Sequence, residues 1–195
     1  MFSEPFQSLE LSPLTMAVIP KEDRTGKQRT LILEMFGEHT VPFSPTYIID
    51  LACRYFGSTL EGRLEGTKEI SNYTHKAPIA IDPSSGMFFF PTTSPKNRNC
   101  SWINHSHVNH LDSVGQDQTK ISFYNGTSIV LDVSYGSMQN QLQRTAQFRF
   151  YLEERLRKMY QSASKHYQPF TPFLKYFRAA PNRRPHTSLL LCVFL

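Results

Sequence analysis

The chain has 195 residues, of which 39% are hydrophobic, with 15 Phe and 9 Tyr, enough for one packed domain and too much for wholesale disorder. Its net charge of +5 is unevenly spread, because residues 137–195 hold ten Lys and Arg against two Glu, whereas residues 1–136 hold eleven against fourteen Asp and Glu. Concentrated basic charge in the last third suits a surface facing a polyanion, although a solvated basic helix without a partner has the same composition. The opening MFSEPFQSLELS lacks the basic start and apolar run of an export signal, and Leu189–Leu195 is far short of the ~20 apolar residues of a membrane span, so a cytoplasmic protein is expected.

Thr15–Pro20 and Arg29–Phe36 read as strands joined at Asp23-Arg24-Thr25-Gly26. A helix follows, capped by Ser44, with Pro45 at its first position and Gly57 as its stop; Ile48, Leu51, Ala52, Tyr55 and Phe56 make its apolar face. Ser58–Ile70 is a weaker helix, because Gly62 and Gly66 each cost about 1 kcal/mol relative to Ala. Ile79–Ile81 and Met87–Phe90 flank the turn Asp82–Gly86, and a polar loop over Thr92–Asn99 precedes a short strand at Ser101–Ile103. Lys120–Phe123 and Ser128–Val133 form a hairpin in which Asn125-Gly126 predicts a type I′ turn.

The longest helix is predicted over Ser137–Tyr160. At about 100° per residue, Met138, Leu142, Thr145, Leu152, Leu156 and Met159 share one face, while Arg144, Tyr151, Arg155 and Lys158 lie nearly opposite. Arg149 projects into the apolar face and needs a partner, for which Asp50 and Asp132 are the candidates. The expected fold class is α+β, a single mixed domain over residues 1–160 with β-hairpins packed against two main helices, followed by a poorly structured tail over 161–195.

A block of residues from 53 to 108 carries a specific pattern: Cys53-Arg54, Phe56-Gly57-Ser58, Gly62-Arg63, Gly66-Thr67, His75-Lys76, Pro78-Ile79, Asp82-Pro83-Ser84, Phe88, Phe90-Pro91-Thr92, Cys100, Trp102-Ile103, His105 and His107-Val108. Phe123, Asn125-Gly126, Ser134-Tyr135, Asn140-Gln141, Arg144-Thr145-Ala146 and Arg149 extend it. In order and spacing these residues resemble the ComK family over about residues 14–160. The resemblance implies a positive regulator of genetic competence that activates operons for DNA uptake and recombination. It implies binding as an oligomer to paired A-tract and T-tract promoter boxes through the minor groove. RNA polymerase and an adaptor that delivers the protein to a Clp protease are the other implied partners, with no cofactor.

The physics of such a groove is compatible with this. An A-tract minor groove is narrow and strongly negative, and it favours inserted Arg or Lys. The loop Lys96-Asn97-Arg98-Asn99 and the stripe Arg144, Arg155 and Lys158 supply such groups, and Arg54, Arg63 and Lys76 in the specific block are further candidates for phosphate or for fastening the fold.

Three other readings of the same residues stand beside this one. Cys53, His75, Cys100, His105 and His107 could assemble a zinc site, although alternation would put His105 and His107 on one strand face and the spacing matches no standard finger. His105, His107, His110, Asp82 and Asp112 could be imagined as a metal-dependent nuclease, but no nuclease, phosphate-loop or nucleophile motif accompanies them. Pro45–Phe56 with Ser58–Ile70 could form a helix-turn-helix for the major groove, with two glycines weakening the recognition helix.

After about Tyr160 the resemblance fades. Arg183-Arg184-Pro185-His186 and Leu189–Leu195 follow no folding pattern, which suggests a gene interrupted or frameshifted near its 3′ end. The resemblance associates this region with activation and adaptor recognition, so both are in question here.

Overall fold

The computed structural model describes residues 10–166. In chain order these form β1 (Thr15–Glu22), β2 (Gln28–Glu34), β3 (Gly37–Val41), α1 (Pro45–Tyr55), α2 (Leu60–Ser71), β4 (Ile79–Asp82) and β5 (Met87–Pro91). Then come β6 (Trp102–Asn104), β7 (Val108–Ser113), β8 (Thr119–Phe123), β9 (Ser128–Leu131) and α3 (Tyr135–His166), with 3₁₀ turns at Pro83–Ser85 and His105–His107. The fold is α+β, as expected, with three helices among the described residues instead of two main ones. The chain divides into a body up to Arg157 and a second unit from Lys158. Of that second unit, only the final turns of α3 are described. The rest of the tail, expected to be poorly structured, lies outside the described residues.

Every strand pairing is antiparallel. Six strands form one sheet in the order β3-β2-β1-β6-β5-β4, and β7-β8-β9 form a second. The large sheet is covered on both faces. Val18, Ile32, Ile79, Ile81, Met87, Phe89 and Trp102 pack with Ile48, Ile49, Ala52 and Cys53 of α1 and with Leu60 of α2. On the other side, Met16, Phe90 and Ile103 meet Leu111, Ile121 and Phe123 of the second sheet and Met138 of α3. Double coverage explains why β5, Met-Phe-Phe-Phe-Pro, is apolar without alternation and wholly buried.

The α1 caps form as predicted: the Ser44 hydroxyl accepts from Tyr47 N–H, and Gly57 takes a φ of +73° after the last turn. The second helix forms despite its glycines. The Thr59 hydroxyl accepts from Gly62 N–H, Asn72 closes the helix in the left-handed region, and the Thr67 hydroxyl donates to the Pro78 carbonyl at 2.7 Å. Caps and packing outweigh the propensity cost.

The β8–β9 turn departs from the predicted type I′. Only Gly126 has positive φ (+86°), Gly126 N–H donates to Phe123 O, and Phe123 N–H donates to Thr127 O, which is a three-residue loop ending in a glycine bulge. Asn125 serves through its side chain instead, accepting from Thr127 N–H and donating from Nδ2 to Met35 O at 2.9 Å. The Asp23–Lys27 turn has the same pattern, with Gly26 at φ +77°.

The buried stripe of α3 is rotated from the predicted one. It contains Met138, Gln141, Thr145 and Phe148, while Met159 is exposed. Gln141 Nε2 donates to the carbonyls of Lys76 (2.9 Å) and Pro91 (2.6 Å), so a polar residue occupies a core position because two buried acceptors need it. Phe148 meets Phe88 edge-on at 6.3 Å. Arg149 pairs with Glu153 at 2.7 Å and reaches the Ser106 hydroxyl at 3.3 Å, not Asp50 or Asp132. Asp50 is taken by Arg54, and Asp132 accepts from Gln118.

Candidate nucleic-acid interface

The eight candidate cations fall in three places. Lys96 and Arg98 lie on the loop between β5 and β6, whose backbone is folded by successive turns: Asn97 N–H donates to Ser94 O, Cys100 N–H to Asn97 O, and Asn99 N–H to the Asn97 side chain. With the backbone bonded internally, the side chains of residues 96–99 are all exposed. Gln28 Nε2 donates to the Arg98 carbonyl at 2.9 Å, which fastens this loop to the β1–β2 hairpin 70 residues away.

That hairpin is a further cationic element, which no sequence motif marks. Burial along β1 falls from complete at Thr15–Val18 to none at Lys21 and Glu22, so its last residues run out beyond the core as a two-stranded ribbon. Lys21, Arg24 and Lys27 are exposed there. Asp23 is occupied internally: it accepts from Thr25 and Lys27 and pairs with Arg29 at 3.3 Å. The Thr25 hydroxyl above all, with those backbone N–H groups, holds its carboxyl far below the ordinary range. Glu22 and Asp23 mask the segment in a charge count, although Asp23 is ion-paired with Arg29. The sign of the tip is therefore positive, with Lys21, Arg24, Lys27, Lys96 and Arg98 brought to one end.

Arg54 and Arg63 sit at the α1–α2 elbow. Arg54 is paired with Asp50 at 2.8 Å, and the same carboxylate accepts from Leu60 N–H, so this pair locks the elbow. Arg63 Nη2 donates to Phe56 O at 3.3 Å. Both cations hold the joint between the helices.

The third group lies along α3. Arg144 stacks 4.3 Å from the Tyr73 ring centre and donates to His75 O at 2.7 Å, and Tyr73 donates to Gln147. Together with Gln141 on Lys76 O, these bonds strap the segment 72–76 to the helix, and Lys76 takes a φ of +47° with an exposed side chain. Arg155 donates to Glu69 O at 3.3 Å and is otherwise exposed. Lys158 is exposed on the C-terminal turns. Arg144 is thus largely spent on the fold, whereas Lys96, Arg98, Arg155 and Lys158 present their charge outward.

Among the described residues the histidines and cysteines are not gathered. His105 and His107 lie in one 3₁₀ turn rather than on a strand face, and His107 Nε2 bonds Pro13 O at 2.8 Å. Cys53 and Cys100 are buried against the α1 side; burial pushes the Cys53 thiol up to about 11 and raises Cys100 too, so neither is poised as a thiolate. His110 pairs with Asp112 at 3.0 Å on β7, and Asp82 is engaged by Ser84 and Ser85. Among the described residues no group of three or more His, Cys, Asp or Glu could hold a metal ion, and no helix is long and apolar enough to cross a membrane.

No solved structure matches the chain. Over 152 residues, 78% of this chain and 79% of the relative, it is 40% identical to a protein of Bacillus subtilis (strain 168) named "Competence transcription factor". The sequence profile of the ComK protein family matches residues 6–157, which takes in both sheets and α3 up to its Arg157. The chain belongs to the ComK family.

Proposed function

We propose that the chain is a non-enzymatic regulator of competence genes that binds AT-rich promoter DNA through the end formed by the β1–β2 tip and the 94–99 loop. The observation that carries this reading is the Gln28–Arg98 bond, which joins two basic segments into one protruding surface. Arg24, Arg98 and the neighbouring Asn97 and Asn99 are short-loop groups of the kind that enter a narrow, electronegative minor groove, where hydrogen-bond patterns mainly separate A·T from G·C. Arg155 and Lys158 are assigned to phosphates. Paired boxes call for more than one copy on DNA, with RNA polymerase and the Clp-protease adaptor as the further partners that the family suggests.

The helix-turn-helix alternative fares worse. The exposed residues of α2 include Glu61, Glu65 and Glu69 with Lys68, a face that repels phosphate. A two-stranded ribbon such as the β1–β2 tip also fits a major groove, so the groove is decided by competition. Titration of the protein against a duplex with phased A/T boxes is expected to give a log-log salt slope of about −4.5 for five phosphate contacts. Arg24→Ala with Arg98→Ala should reduce the preference over a GC-rich duplex, and a netropsin-type ligand should displace the protein. A flat salt response with no AT preference would overturn the reading. Displacement failure alone would move the ribbon to the major groove.

A further inference from the structure

A cleft of about 730 Å³ opens where the β4–β5 turn, the His105–His107 turn, the β8–β9 loop and α3 meet, away from the basic end. Ser84, Ser85, His105, Ser106, Tyr124 and Arg149 line it, and its size is that of a small-molecule site. The polar groups divide by hydrogen-bonding role. Ser84 and Ser85 donate their hydroxyl protons to Asp82 at 2.7 and 2.5 Å, and Ser106 donates to Gly86 O at 2.7 Å. These three oxygens therefore have only acceptor capacity left.

The donors are Arg149 and His105. Arg149 Nε is held by Glu153, Nη1 by Ser106, and the guanidinium lies 5.0 Å over the Phe88 ring, so these two bonds use two of its five N–H donors. His105 Nδ1 is buried without a partner. A buried orphan N–H is costlier than an orphan lone pair, so the neutral ring keeps its proton on Nε2, as a donor. Gly86, at φ +78°, lets the turn close over Ser106, since a Cβ there would come within 3.3 Å of the Ser106 hydroxyl. Tyr124 stands at the mouth, 68% exposed.

We propose that this cleft binds a small phosphate ester bearing free hydroxyls and a flat ring, a nucleoside monophosphate. The phosphate meets the remaining N–H donors of the Arg149 guanidinium and His105; the sugar hydroxyls supply the protons that the three serine oxygens lack; the base lies against Tyr124. The fixed carboxylates Asp82 and Glu153 are already engaged by the serines and by Arg149, which leaves the cationic edge for the ligand. An internal DNA phosphate brings no free sugar hydroxyls, so the serine acceptors favour a free nucleotide over the duplex backbone.

The test is calorimetric titration of the full chain, without DNA, using adenosine monophosphate, adenosine and ribose phosphate as probes. Adenosine monophosphate should bind saturably, and adenosine should not. Arg149→Gln should weaken the nucleotide at least ~10-fold, the loss of a charge-assisted hydrogen bond. Tyr124→Ala, an exposed position that leaves the core intact, should weaken the nucleotide but spare ribose phosphate. No saturable binding by the wild type, or equal affinity in both folded variants, would overturn the site. So would displacement of the nucleotide by a duplex that Arg149→Gln no longer binds, because the occupant would then be a DNA phosphate.

Discussion

His105 shows how one buried side chain sets a pH limit. Burial, and then the positive charge of Arg149, hold its pKa below the ordinary 6.5. The unfolded chain therefore binds more protons between that folded value and 6.5, and stability is full above 6.5 and declines as pH falls through it. Melting temperature followed across that window should show this acid limb, and His105→Gln should flatten it; an unchanged profile would remove His105 as its source. Gln141 is the opposite case of legibility. Its family motif was visible, but its place in the core was not, because a glutamine reads as surface until the Lys76 and Pro91 carbonyls that need its amide are known. Asp23 likewise hid the basic tip, since only its ion pair with Arg29 shows that its charge is offset.

Among the elements, those whose apolar residues face one core were legible, while those defined by their partners were not. The α1 caps and the β4–β5 and β8–β9 hairpins follow from local residues. Gly-Glu-His-Thr-Val of β3 and Val-Asn-His-Leu-Asp-Ser of β7 are polar edge strands with weak patterns, and their pairing with β2 and β8 makes them strands. The attachment of α3 depends on Phe148 and Leu152 packed with Phe88, Ala80, Ile70 and Tyr73. Phe148→Ala is expected to cost about 3–5 kcal/mol, read from the shift of the urea midpoint. A change below about 1 kcal/mol would mean that Gln141 and Arg144 hold the helix without it.

At the level of the whole molecule, the α+β class and its hairpins could be anticipated, but the strand order could not. Nothing local indicates that β1 lies beside β6, since that neighbourhood closes only through long-range packing. Val18 pairs with Trp102, so the middle of the large sheet joins segments more than eighty residues apart. Such non-local pairing predicts refolding in milliseconds to seconds rather than microseconds, measurable by stopped-flow fluorescence of Trp102. It also means that a nascent polypeptide cannot finish its central ladder until Asn104 has left the ribosome. Until then, Met16 and Val18 stand on an open strand edge, exposed to chaperones, to proteases and to other unfinished copies. A fragment ending at Pro91 should accordingly stay unfolded by circular dichroism, although it contains five of the nine strands among the described residues.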